Sequence, residues 1–258
     1  MPNNALYLYG IVKSYDKNWK ARGIKGNNIF LINNEEFSAI VHTCDEKPYI
    51  SDDPAEIKDL ILAHNEVLDK AINDFGGVIP LSFNTIIKTS ASEKDKRSSE
   101  ENLKNWLKNN EKDLQEKWNR IKGKKECGIR IYYEKEKLFK KIKETNKIRQ
   151  LQQEIQTETA GMSYLLKGKT ETEINELAQK QILGYKQKLY NDIKKIASDT
   201  IINDSKILLD EKKDLLLSLS VLVDKEQIEE TERYLVNSSF YFKIAGPFAP
   251  YSFVKNEL

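Results

Sequence analysis

The chain has 258 residues, enough for one large or two modest domains, and 39% of them are apolar, which suffices for a core. Its 42 basic and 40 acidic side chains are mixed along the chain and leave a formal net charge of only +2, which argues against a general polyanion binder. Cys44 and Cys127 lie far apart without metal or redox spacing, and no basic-apolar-small leader opens the chain. The longest apolar run, residues 215–223, is far short of the ~20 residues that cross a bilayer. A soluble, intracellular protein with reduced thiols is expected.

Residues 5–13 are rich in Tyr, Leu, Ile and Val, as strands are. Residues 29–32 and 37–43 flank Asn33-Asn34-Glu35-Glu36 and predict a tight hairpin. Asp53 as cap, Pro54 at the first helical position and Glu56 closing a capping box predict a helix start. Ile57, Leu60, Ile61, His64, Leu68, Ala71 and Ile72 then share one face, and Gly76-Gly77 ends the helix before a buried strand at 78–83. Ser98 with Glu101 opens a further helix, whose core stripe is Leu103, Trp106, Leu107, Leu114, Trp118 and Ile121. Lys122-Gly123-Lys124-Lys125 breaks it and marks a domain boundary.

The second half opens with a strand at 126–133 and a long helical region interrupted around 159–169. The helix resumes under Thr170 and Glu173 with Ile174, Leu177, Ala178, Ile182, Tyr185, Leu189, Ile193 and Ile196 on one face. Strands at 201–209 and 215–223 surround a turn at 210–214; Asp224 and Gln227 cap a helix at 225–236, and 240–244 is the last strand. This β-α-β-β-α-β order is ferredoxin-like. The expected class is α+β: an N-terminal α+β domain (1–123), a C-terminal ferredoxin-like domain (124–245) and an extended aromatic C-terminal tail (246–258).

That tail reads Gly246-Pro247-Phe248-Ala249-Pro250-Tyr251-Ser252-Phe253-Val254. Prolines fix φ and remove donors, so it runs extended and its rings need covering. It either docks on its own domain or keeps an aromatic patch for a partner, through Phe248, Pro250, Tyr251 and Phe253.

Motifs for chemistry are weak. Residues 163–170 end in Gly168-Lys169-Thr170 like a phosphate loop, but Ser163 replaces the first glycine and a helical segment, not a strand, precedes it. A helix break with a Thr cap is the plainer reading. Gly23-Ile24-Lys25-Gly26 is a turn. His42 alternates within a strand and His64 sits on a core stripe, so both read as hydrogen-bonded structural residues, with no ligand-spaced neighbours for zinc. No catalytic, cofactor-binding or metal residue is assigned. The basic run 135–149 (Lys137, Lys140, Lys141, Lys143, Lys147, Arg149) is diluted by Glu134, Glu136 and Glu144 and has an inward face of Leu138, Phe139 and Ile142. It keeps a nucleic-acid or nucleotide binder open as the alternative.

Five marks in order resemble the GvpF/GvpL family of gas vesicle proteins. They are the closing 246–254 segment; Tyr7-Leu8-Tyr9-Gly10-Ile11-Val12; His64-Asn65-Glu66-Val67-Leu68 with Val78-Ile79-Pro80-Leu81-Ser82-Phe83-Asn84-Thr85; Glu126-Cys127-Gly128-Ile129-Arg130-Ile131; and Gly161-Met162-Ser163-Tyr164-Leu165-Leu166. The chain departs from the pattern at Ser82 (usually Arg), Cys127 (usually Trp) and Phe248-Ala249 (commonly Trp-Pro). The resemblance implies a non-enzymatic accessory or minor structural protein without cofactors, located at the gas vesicle within the cytoplasm. Its implied partners are the small hydrophobic shell protein and other gas vesicle accessory proteins, with no nucleic acid and no lipid membrane.

Overall fold

The computed structural model describes residues 5–13, 19–89, 97–204 and 213–254, which form a mixed α+β chain. They divide into two compact units: the residues up to Glu126 together with those from Gly246 onward, and Cys127–Ala245.

The first unit is built on an antiparallel sheet of β1 (Ala5–Val12), β2 (Ala21–Arg22), β3 (Asn28–Asn34), β4 (Phe37–Cys44), β5 (Ile79–Pro80) and β6 (Ile86–Ile87). Their order is β2-β3-β4-β1-β5, with β6 also on β1. Fully buried β1 lies between β4 and the two short strands. Opposite β4 its register shifts between Leu8 and Gly10, a bulge around Tyr9. At Gly10 a side chain would sit 2.9 Å from the Ile79 carbonyl, so glycine is what lets β5 approach. The expected buried strand at 78–83 shrinks to Ile79–Pro80, because Pro80 cannot continue a ladder; β2 and β6 escaped the sequence reading, being too short for periodicity to register.

α1 (Pro54–Phe75) starts where Asp53 accepts the Ala55 N–H and stops at Gly76 with φ +76°. The expected capping box does not close, because Glu56 accepts from the Ser51 hydroxyl instead. The buried stripe is Leu60, His64, Val67, Leu68, Ala71 and Ile72, and Ile61 turns outward. The helix opened by Ser98 and Glu101 has its capping box but is two helices, α2 (Ser99–Asn109) and α3 (Glu111–Ile121). Asn110 breaks it, with its side chain donating to the Trp106 carbonyl, a local alternative to helix that asparagine favours.

In the second unit β7 (Lys125–Glu134), which begins in the first, leads into α4 (Lys135–Lys143), α5 (Asn146–Thr157), α6 (Ala160–Ile196), β8 (Asp199–Ile202), β9 (Lys213–Val223), α7 (Lys225–Val236) and β10 (Tyr241–Phe248). The four-stranded sheet runs β10-β7-β9-β8. Cys127, Ile129 and Ile131 of β7 meet Leu217, Leu219, Val221 and Val223 of β9, covered by Leu189 and Ile193 of α6 and Leu235 of α7. A smaller cluster of Leu138, Ile142, Ile148, Ile174 and Ala178 ties α4 and α5 to α6. The Asp224–Gln227 capping box is present. Most of the expected strand at 201–209 and of the turn at 210–214 lies outside the described residues; β8 starts two residues earlier, at Asp199.

The expected interruption around 159–169 narrows to its very start. α6 runs unbroken for 37 residues through Gly161, Gly168 and Thr170, and the break falls at Glu158-Thr159. Thr170 caps nothing: its hydroxyl donates to the Leu166 carbonyl one turn back. Gly168-Lys169-Thr170 is therefore mid-helix and cannot curl its amides round a phosphate. Once a helix is nucleated, each further residue adds a bond at modest cost, and one glycine does not stop it. A methyl group at Gly168 would meet nothing within 4 Å. Gly168→Ala is therefore expected to raise stability by about 0.5–1 kcal/mol in urea unfolding; a loss would place a helix end there.

Candidate functional site

The only dense cluster of polar chemistry among the described residues of the first unit is buried, and it is built from tyrosines and histidines. Tyr7 and Tyr9 share one face of β1, and His42 of β4 stacks on the Tyr7 ring at 5.0 Å. His64 of α1 stacks on Tyr9 at 5.2 Å, and Tyr49 and Phe83 close the group edge-on.

The hydrogen bonds fix the protonation of His64. Its Nε2 lies 3.2 Å from the Leu81 carbonyl, which can only accept, so Nε2 carries the proton. Nδ1 must then accept, and the Tyr7 hydroxyl donates to it at 2.9 Å while receiving the Asn84 N–H at 3.1 Å. Asn84 holds φ +67°, which asparagine tolerates, and its side chain clasps both the N–H and the carbonyl of Tyr49. His42 repeats the pattern: it bridges Tyr9 and Tyr49, each at 2.9 Å, and the Tyr9 oxygen receives the Ile24 N–H. Burial pushes both histidines down to about 4, the Leu81 bond opposing it slightly at His64, and raises Tyr7 and Tyr9 well above the usual phenol range.

The C-terminal segment closes this cluster. The Tyr251 hydroxyl accepts from His64 Nε2 at 3.1 Å and donates to Asn65 Oδ1 at 3.2 Å. Burial raises its pKa, and the nearby Asp69 adds to the effect. Next to it, buried Glu126 takes the Ser252 N–H at 2.8 Å and the Ser252 hydroxyl at 2.6 Å on its two oxygens. Arg120 donates to the Phe253 carbonyl at 3.0 Å and lies over the Phe253 ring. Gly246, at φ +110°, has the Glu126 carbonyl 2.8 Å from where a side chain would begin.

Of the four residues expected at a partner surface, Pro250 and Phe253 are buried, and Tyr251 is half-buried under its hydrogen bonds. Phe248 is 52% exposed. Sequence reading missed Glu126, Arg120 and Asn65 as the anchors of the tail. The available signal was Glu126, a carboxylate opening an apolar strand. Four of the five family-like marks meet here: Tyr7 and Tyr9, His64 to Asn84, Glu126, and the closing segment. Of the departures, Ser82 is exposed and Cys127 is buried in the second unit. Among the described residues no three His, Cys, Asp or Glu are grouped to hold a metal, and no helix is long and apolar enough to cross a membrane.

An α+β chain whose closing segment belongs to its first compact unit has a fold already seen by crystallography. GvpF from Anabaena sp. PCC7120 superposes with a TM-score of 0.69 at 17% identity over 99% of this chain and all of that one. GvpF from Microcystis aeruginosa gives 0.65 at 19%, covering 98% and 99%. The family model for gas vesicle synthesis protein GvpL/GvpF matches residues 5–255, and the chain belongs to that family. Among relatives, gas vesicle protein L of Haloferax mediterranei is 25% identical over 91% of this chain and 73% of its own length. Gas vesicle protein L1 of Halobacterium salinarum is 21% identical over 97% and 90%. All four are named as gas vesicle proteins and none as an enzyme.

Two measurements test the site. Both histidines bind protons more weakly folded than unfolded, so their stabilisation is complete above the ordinary 6.5 and is lost as pH falls toward about 4. Unfolding free energies from urea titration should fall across that window, on the order of 3 kcal/mol per histidine, with a shallower slope in His64→Gln; a flat profile contradicts buried neutral rings. Glu126→Ala removes the carboxylate that accepts both Ser252 donors and should cost about 1–3 kcal/mol in thermal unfolding, with faster proteolysis beyond residue 246.

Proposed function

We propose that this chain is a non-catalytic assembly or minor structural protein of gas vesicles. It works at the vesicle within the cytoplasm and binds the hydrophobic shell protein together with other gas vesicle accessory proteins. Membership of the GvpL/GvpF family and the naming of its relatives support this reading. A subunit with a strongly apolar face aggregates before it polymerises unless something covers that face, and an adaptor with its own apolar contact can do so.

The observation that carries the contact is Phe248. It stands 52% exposed immediately before a segment whose other rings are taken up by the chain itself. A large ring held outward on a locked backbone has little entropy left to lose on binding, which favours it as an anchor. We also read the second unit as ferredoxin-like. Counting its strands from the first, their sheet order is 4-1-3-2, which supports that reading. Such units serve many functions, so the assignment adds no activity of its own.

Removing everything after Gly246 is a poor test, because it also strips Tyr251 from His64. Phe248→Ser is better, since the ring is exposed and its loss leaves the buried anchors alone. In co-purification with the shell protein, capture should fall about tenfold with an unchanged melting temperature. Undiminished capture by Phe248→Ser, or shell-protein binding absent from the native chain, overturns the reading.

A further inference from the structure

Among the described residues β10 is an end strand of the second unit's sheet, with β7 on one side and no strand neighbour on the other. Its sequence, Tyr-Phe-Lys-Ile-Ala-Gly-Pro-Phe, is long for an edge and has a single charge, Lys243. Natural edges are usually kept from pairing by short length, repeated charges or bulges. Between Tyr241 and Ala245 this edge has one lysine as protection. Phe242 and Ile244 are half-buried and pack on the unit's core, whereas Tyr241, Lys243 and Ala245 are exposed.

We propose that the free edge of β10 between Tyr241 and Ala245 takes up an extended segment of a protein partner as an added strand, with an acidic residue of that segment beside Lys243. Main-chain bonds give such additions their affinity, and alternate side chains give them specificity. The inference rests on the reading of this chain as a binding protein and names the form of one partner segment.

Charge selects the occupant. A second copy pairing through the same edge would bring two Lys243 side chains side by side, which is unfavourable. Lys213 stands 4.1 Å over the Tyr241 ring and already faces the Glu134 carboxylate, so the charge offered to a partner here is that of Lys243. The nearby carboxylate, Glu134, is held by Lys137 at 2.9 Å and also engages Tyr241 and Lys213, while Lys243 makes no ion pair among the described residues. An extended segment carrying one carboxylate among β-branched residues fits the edge, because Phe242 and Ile244 then extend their apolar row onto it.

The test uses the full chain and synthetic peptides of alternating threonine and valine, with glutamate or lysine at the centre. Hydrogen–deuterium exchange over residues 241–245 should slow with the glutamate peptide, which should bind about fivefold tighter than the lysine peptide. Lys243→Glu should reverse that preference, and a glutamate peptide N-methylated along its length should give no protection. No slowing, equal slowing by the N-methylated peptide, or a preference indifferent to Lys243→Glu overturns the proposal. Capture of the shell protein that persists in that event leaves the proposed function standing. Peptide protection without shell-protein capture by the native chain does the reverse.

Discussion

A neutral histidine in a dry interior has one hydrogen to give and one lone pair to fill, and His64 commits both to distant parts of the chain. Its acceptor nitrogen is served by Tyr7, 57 positions away, and its donor nitrogen serves Leu81 and Tyr251, the latter 187 positions away. Placing charge there would cost desolvation and would turn the acceptor into a donor facing Tyr7. The ring must stay uncharged, and an uncharged ring with a fixed tautomer accepts only one arrangement of neighbours. Strand β1, the loop after β5, helix α1 and the C-terminal segment are thereby held in register with one another. Tyr9, His42 and Tyr49 extend the same logic across the sheet, and none of these groups is spare.

The second unit rests on different physics. Its core is aliphatic, with Leu, Ile and Val of two neighbouring strands covered by Leu189, Ile193 and Leu235. Such a core depends on area and shape more than on the hydrogen-bonding state of any one atom. α6 joins two clusters, with Ile174 and Ala178 in the smaller one and Leu189 and Ile193 in the larger, and its first turns with Gly161, Gly168 and Thr170 lie N-terminal to both. Stable packing over most of the surface leaves contact chemistry to features that packing does not consume. Phe248 and the free edge of β10 are two such features, one a side chain and the other a run of backbone.

Much of the architecture was legible because its signals are local. A capping serine and its glutamate, or an aspartate and its glutamine, sit within one turn of each other, so α2 and α7 start where the sequence says. Gly76 ends α1 for a reason contained in its own φ. Signals that compete failed more often. Glu56 had two acceptable partners and took Ser51, and Asn110 preferred its side-chain bond to one more turn of helix. At Gly168 and Thr170 the opposite happened, and a local break signal lost to propagation of the helix through it.

The sequence by itself determined the α+β class, the order of most elements, which faces are apolar and the family resemblance, because each depends on residues close together or on their order along the chain. Only the tertiary structure decided that Tyr251 and Phe253 turn inward, that Phe248 stays out, and that Glu126 receives Ser252 from 126 positions away. Whether a ring is buried depends on what the rest of the chain brings to it, and no spacing within the tail contains that information.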